Sequence, residues 1–126
     1  ILHGYYAGIG GPWTKYYTLR HVAEAAQEIK IPISGTGGIM TGEDVIKYVL
    51  LGASTVQILS VIMVNGWDSI AQINKEIEEY LRQKGLNSLE QIRGKALEAL
   101  TRPEEIIRWS GEAKTGARND WKELRK

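Results

Sequence analysis

The sequence has 126 residues, enough for one domain or part of one, with 16 Lys and Arg against 15 Asp and Glu. A balance this close to neutral gives no footprint for a nucleic acid or a strongly charged substrate. The absence of cysteine excludes disulfides, thiolate metal sites, iron–sulfur ligation and a cysteine nucleophile from this chain.

No apolar run approaches the ~18 residues that cross a membrane, and no charged leader with a cleavage site opens the sequence, so a cytoplasmic protein is expected. The chain starts on Ile1, and its first dozen residues, ILHGYYAGIGGP, read as the inside of a loop. A piece of a larger protein or assembly is therefore expected. Gly4, Gly8, Gly10 and Gly11 are interleaved with Tyr5, Tyr6 and Trp13. Such a loop lets backbone and aromatic rings approach a flat or phosphorylated ligand, although an unliganded surface loop has the same composition. Neither histidine, His3 or His21, has a ligand partner at metal-binding spacing, so no metal site is expected. Thr14 to Lys30 predicts a helix with Leu19, Val22, Ala23, Ala26 and Ile29 as its apolar stripe. Arg20 on this helix is expected in solvent or an ion pair rather than on a phosphate.

The central stretch, Ile31 to Ser60, predicts strand, glycine turn, helix and strand. Ile31–Ser34 is a short apolar run broken by Gly35-Thr36-Gly37-Gly38. Thr41 is the expected N-cap of the next helix, with Asp44 three residues on. Val45, Ile46, Val49 and Leu50 form its buried stripe, while Glu43, Asp44 and Lys47 are expected to face water. Gly52 ends the helix, and Ser54–Ile62 reads as a second strand covered on both faces. Two strands around one helix make a βαβ unit. Glycines at the carboxyl end of a strand, before a helix N-terminus, let several N–H groups converge on an anion, and a phosphate is the natural guest. Ser60, at the end of the second strand, adds a hydroxyl and an amide beside it. Tight βα turns also use glycine for purely steric reasons.

After a Val64-Asn65-Gly66 turn, Trp67 to Lys84 predicts the longest helix, with Ile70, Ile73, Ile77, Tyr80 and Leu81 inward and Gly85 as its stop. Ser88 caps a short helix to Arg93. From Gly94 the sequence becomes charged, with Trp109 and Trp121 among its few large apolar groups, and reads as a helical extension. The fold class is α/β: about the last two to three βα units of a (β/α)8 TIM barrel, where phosphate sites follow strands 7 and 8, plus a helical tail. The expected division is 1–97 for the phosphate-binding barrel segment and 98–126 for the extension.

The segment Gly8-Ile9-Gly10-Gly11-Pro12, continuing through Trp13-Thr14-Lys15 to Arg20, resembles the glycine loop and helix after strand 6 of class 1 dihydroorotate dehydrogenases. Ser34-Gly35-Thr36-Gly37-Gly38-Ile39, then Thr41-Gly42-Glu43-Asp44, Gly52-Ala53-Ser54 and Val56-Gln57, is similar to that family's FMN-phosphate signature. Glu78 to Leu81, Lys84-Gly85, Ser88-Leu89 and Arg93-Gly94 resemble its last helix and tail. The flavin domain of dihydropyrimidine dehydrogenases carries the same pattern. Leu59-Ser60 stands where dihydroorotate dehydrogenases have Gly-Thr and resembles the Cys-Ser of the dihydropyrimidine group, whereas Gly8-Ile9-Gly10-Gly11 resembles the former.

The resemblance implies an FMN-dependent oxidoreductase of pyrimidine metabolism, with Gly10, Thr36, Gly37, Gly38, Leu59 and Ser60 around the FMN phosphate. In this family the catalytic base loop, a lysine near the flavin and the substrate asparagines lie on earlier strands. No catalytic residue is therefore assigned in this chain, and it is expected to act with the remaining barrel, in the same or another polypeptide. An oligomer, a small pyrimidine-type substrate and no nucleic-acid or membrane partner complete the expectation. The alternatives are a non-catalytic βα binding or assembly module that keeps the phosphate turn, and part of another phosphate-binding barrel enzyme.

Overall fold

A computed structural model describes residues 8–100. Helix α1 (Thr14–Glu28) leads to strand β1 (Ser34–Thr36), helix α2 (Gly42–Leu50), strand β2 (Thr55–Gln57), the short helix α3 (Ser60–Asn65) and the long helix α4 (Asp68–Lys84). Two 3-10 turns, Leu89–Ile92 and Leu97–Ala99, follow. The strands pair in parallel, with Ser34 opposite Thr55, Gly35 opposite Val56 and Thr36 opposite Gln57. The βαβ unit read from the sequence is present, and the class is α/β.

Helix α2 is the centre of the packing. Val45, Ile46, Tyr48 and Val49 project from it into a core completed by Val22 of α1, Ile39, Ala53, Val61 of α3, Ile73 of α4 and Ile92. Its N-terminus is built as the sequence predicts: the Thr41 hydroxyl accepts the Asp44 N–H at 3.3 Å, and the Asp44 carboxylate accepts the Met40 N–H at 3.0 Å. Its C-terminal carbonyls are also fully used. Lys47 and Tyr48 accept from Leu51 and Ala53, Val49 accepts from Gly52 and Gly94, and Leu50 accepts from Ala96. The segment between the two 3-10 turns thus closes the end of α2 and anchors the chain that follows α4 to the βαβ unit. Gly85, with φ 64° and ψ 33°, terminates α4 as expected.

Several expectations need correction. The first strand is Ser34–Thr36, not Ile31–Ser34; Pro32 lies outside it, and Ile31 is 70% exposed. The run Ser54–Ile62 is not one strand, because β2 stops at Gln57 and Ser60–Asn65 is helical. A short apolar run does not reveal whether it is strand or buried helix. Val64 and Asn65 end α3 instead of forming a turn, and Gly66, with φ 81°, makes the break alone. Asp44 does not face water: it is 3% exposed and paired with Lys15. His21 and Arg20 are exposed on α1, with Arg20 bonded to Glu24 at 2.8 Å, the ion-pair outcome. His3, Tyr5, Tyr6 and most of the expected extension, with Trp109 and Trp121, lie outside the described residues.

Candidate functional site

A concavity of about 580 Å³ opens at the carboxyl ends of β1 and β2, within the size range of small-molecule sites. Gly10, Thr36, Gly37, Gly38, Leu59 and Ser60, which are far apart in sequence, all line it. Trp13 and Tyr17 of the α1 region form an aromatic rim, 63% and 68% exposed.

Each part is positioned by local chemistry. The loop before α1 is folded on itself: the Trp13 indole N–H donates to the Gly10 carbonyl at 3.1 Å, and the Thr14 hydroxyl donates to the Gly11 carbonyl at 2.9 Å. This brings Gly10 to Ser60, where a Cβ on Gly10 would lie 3.3 Å from the Ser60 Oγ. Gly37 and Gly38 both take positive φ, 128° and 65°. The turn is also pressed against α1, since a Cβ on Gly37 would fall 2.8 Å from the Thr18 Cγ2 and one on Gly38 2.7 Å from the Lys15 backbone N. Glycine is required here for both reasons.

Behind the turn stands a polar layer that the sequence reading did not pick out. Tyr48 is fully buried, packs its ring beneath Gly35 and donates its hydroxyl to the Gly37 carbonyl at 2.7 Å. The Thr18 hydroxyl bonds the same phenol oxygen. Beside them the Lys15 ammonium meets the Asp44 carboxylate at 2.6 Å, with side chains 14% and 4% exposed. Burial disfavours the charged form of Asp44, but the Lys15 ammonium and the Met40 N–H outweigh it and hold the carboxyl below its usual range. Burial pushes the Tyr48 phenol up, so it remains a donor at neutral pH. One signal for Tyr48 was available: it lies on the apolar face of α2, and a buried tyrosine needs a partner for its hydroxyl.

Two of the amides at the α2 N-terminus are already occupied from within the protein. The Gly42 N–H is taken by the Glu76 carboxylate of α4 at 2.7 Å, and the Asp44 N–H by Thr41. The protein supplies its own anion there. In contrast, no hydrogen bond among the described residues uses the N–H of Gly38 or Ser60. Among the described residues no acidic and no basic side chain lines the concavity. Its donors are backbone amides and hydroxyls, a set that suits a phosphate held without a counter-charge.

Comparison with known proteins gives a consistent result. The sequence profile of the dihydroorotate dehydrogenase family matches residues 2–81. The chain is 42% identical over 98 residues to the catalytic subunit of dihydroorotate dehydrogenase B (NAD(+)) from Thermococcus kodakarensis, covering 78% of this chain and 32% of that one. The corresponding subunit from Petrotoga mobilis is 42% identical over 88 residues, covering 70% and 29%. The crystal structure of ligand-free DHODH from Eimeria tenella superposes with a TM-score of 0.67 at 24% identity, over 72% of this chain and 26% of that one. The chain thus spans about a third of the length of these curated relatives. On the match of its sequence from the first glycine loop through most of α4, the chain belongs to the dihydroorotate dehydrogenase family.

Proposed function

We propose that this chain is the FMN-phosphate-binding, C-terminal part of a dihydroorotate dehydrogenase-like (β/α)8 barrel. The observation that carries this is the convergence of Gly10, Gly37, Gly38 and Ser60, from the three segments that lead into α1, α2 and α3, on one concavity where, among the described residues, the Gly38 and Ser60 amides are unpaired and no charged side chain lines the wall. The Gly37-Gly38 turn would hold the phosphate from one side, and Leu59 and Ser60 at the head of α3 from the other. A short extra helix beside the last strands is the usual partner of a barrel phosphate site. Trp13 and Tyr17 would shield the entrance from water. The chemistry supplied when FMN is bound is two-electron transfer from a dihydropyrimidine such as dihydroorotate.

The remaining barrel, in the same or another polypeptide, would complete the enzyme. Parallel strands are ordinarily flanked and covered, yet the described residues contribute only two strands to the sheet. Leu59, Met63, Val64 and Trp67 leave an apolar strip that is 69–77% exposed beside it. Residues 1–97 form the barrel segment in this reading, and 98–126 an extension to it. The test is to purify the complete native protein and record its visible spectrum before and after anaerobic addition of dihydroorotate. Flavin absorbance that bleaches on addition is expected; a colourless protein, or a flavin band that dihydroorotate leaves unchanged, would overturn the assignment.

A further inference from the structure

The concavity is lined by the glycine turn, but what sets the direction of the turn's amides lies one layer deeper. A trans peptide points its C=O and N–H in opposite directions. The Gly37 carbonyl is directed at the Tyr48 hydroxyl, which does not line the concavity. The N–H across the same peptide belongs to Gly38, which does line it. With positive φ at both glycines the peptide has conformational freedom that other residues lack, so its orientation needs an external constraint.

We propose that Tyr48 is the positioning residue of this turn: its hydroxyl fixes the Gly37 carbonyl inward and thereby presents the Gly38 N–H to the phosphate. The proposal rests on the FMN reading above. Proton bookkeeping gives the direction of the relay. Tyr48 has one hydroxyl proton, and no other donor among the described residues serves the Gly37 carbonyl. The proton between the two hydroxyls therefore comes from Thr18. Thr18 lies on α1 and Tyr48 on α2, and with its one hydroxyl proton directed to Tyr48, Thr18 leaves the nearby Thr14 and Lys15 carbonyls to the helix, so the turn is tied through Tyr48 to both α1 and α2. The phenylalanine isostere would still fill the space beneath Gly35. Only the hydroxyl serves the turn.

The discriminating probe is the pair FMN and riboflavin, which differ in the phosphate alone. Dissociation constants for both are measured by flavin fluorescence quenching on the flavin-stripped complete protein, in wild-type, Tyr48→Phe and Thr18→Val forms. The expected result is a wild-type preference for FMN that falls about tenfold in Tyr48→Phe, the loss of one charge-assisted amide contact, with riboflavin affinity unchanged. Thr18→Val should lose part of the same preference, and it carries the test alone if Tyr48→Phe does not fold. A wild type without preference for FMN overturns the FMN reading and this inference together. A wild type that prefers FMN, with variants that keep the full preference or weaken both flavins equally, overturns this inference and leaves the FMN reading standing.

Discussion

Replacing Gly38 by alanine separates two costs that usually occur together. At φ 65° a β-carbon is strained, by about 1–2 kcal/mol. In addition the new carbon would sit 2.7 Å from the Lys15 backbone N and 2.9 Å from the Gly11 carbonyl oxygen. Neither is the end of a flexible side chain. The Gly11 carbonyl is already bonded to the Thr14 N–H and hydroxyl, so the start of α1 must move as a unit. Such overpacking costs roughly 1–3 kcal/mol more, giving about 2–5 kcal/mol in all. Gly85→Ala is the internal control, because Gly85 has nearly the same φ, 64°, and nothing within 4 Å of its would-be Cβ. Both variants gain the same small benefit from a stiffer unfolded chain, so their difference isolates the clash. Chemical denaturation midpoints of the complete protein give the stability change, and FMN titration gives the loss at the site. Gly38→Ala should be the more destabilised by about 1–3 kcal/mol and should bind FMN at least about tenfold more weakly. Equal destabilisation of the two variants, or undiminished FMN affinity in Gly38→Ala, would refute the proposed packing of the turn on α1.

Asp44→Asn should cost about 3–5 kcal/mol at neutral pH by leaving the Lys15 ammonium nearly buried without its counter-charge. The native carboxyl is held below its unfolded value. The pair's contribution is therefore complete above the ordinary aspartate pKa, about 3.9, and is lost as pH falls through the lower folded value. Denaturation midpoints across acid pH should show this component in wild type and not in Asp44→Asn; identical profiles would exclude the ion pair as a source of stability. Glu76→Ala removes the acceptor of the Gly42 N–H and should destabilise by about 2 kcal/mol, read as a lower thermal midpoint. It should leave the ratio of FMN to riboflavin affinity unchanged, since α2's N-terminus is not part of the site; a fall in that ratio would place the ligand at α2 instead.

The sequence carried the elements with strong local signatures. Thr41 and Asp44 marked the α2 start, Gly52 and Gly85 the helix ends, and Ser88 the capped turn, because each of these acts through neighbours within four residues. The glycine turn and Ser60 could be read as an anion site from their chemistry, the full set of six came from a resemblance to known flavoproteins, and the fold brings all six to one concavity. What was not legible depends on partners far along the chain. Asp44 looks like an ordinary exposed helix residue until α1 places Lys15 against it, 29 residues away. Glu76 competes for the α2 N-terminus from 34 residues away. Tyr48 could be assigned to a buried face, but its acceptor at Gly37 is fixed by the turn's tertiary geometry. The strand boundaries failed for a related reason: β-branched Ile31, Ile33, Val61 and Ile62 suit a strand, but the two-stranded ladder ends at three residue pairs and the chain after it turns into α3.

The central claim, that the amides at the ends of β1 and β2 hold the phosphate, is tested most directly by hydrogen exchange of the complete protein with and without FMN. Exchange should slow in the segments 34–40 and 57–62, at Gly38 and Ser60 above all, and riboflavin should not reproduce the effect there. The segment 88–93, whose capping box lies outside the concavity, serves as the reference that does not change. If FMN binds and those two segments exchange as fast as before, the phosphate is held elsewhere and the account of this site is wrong.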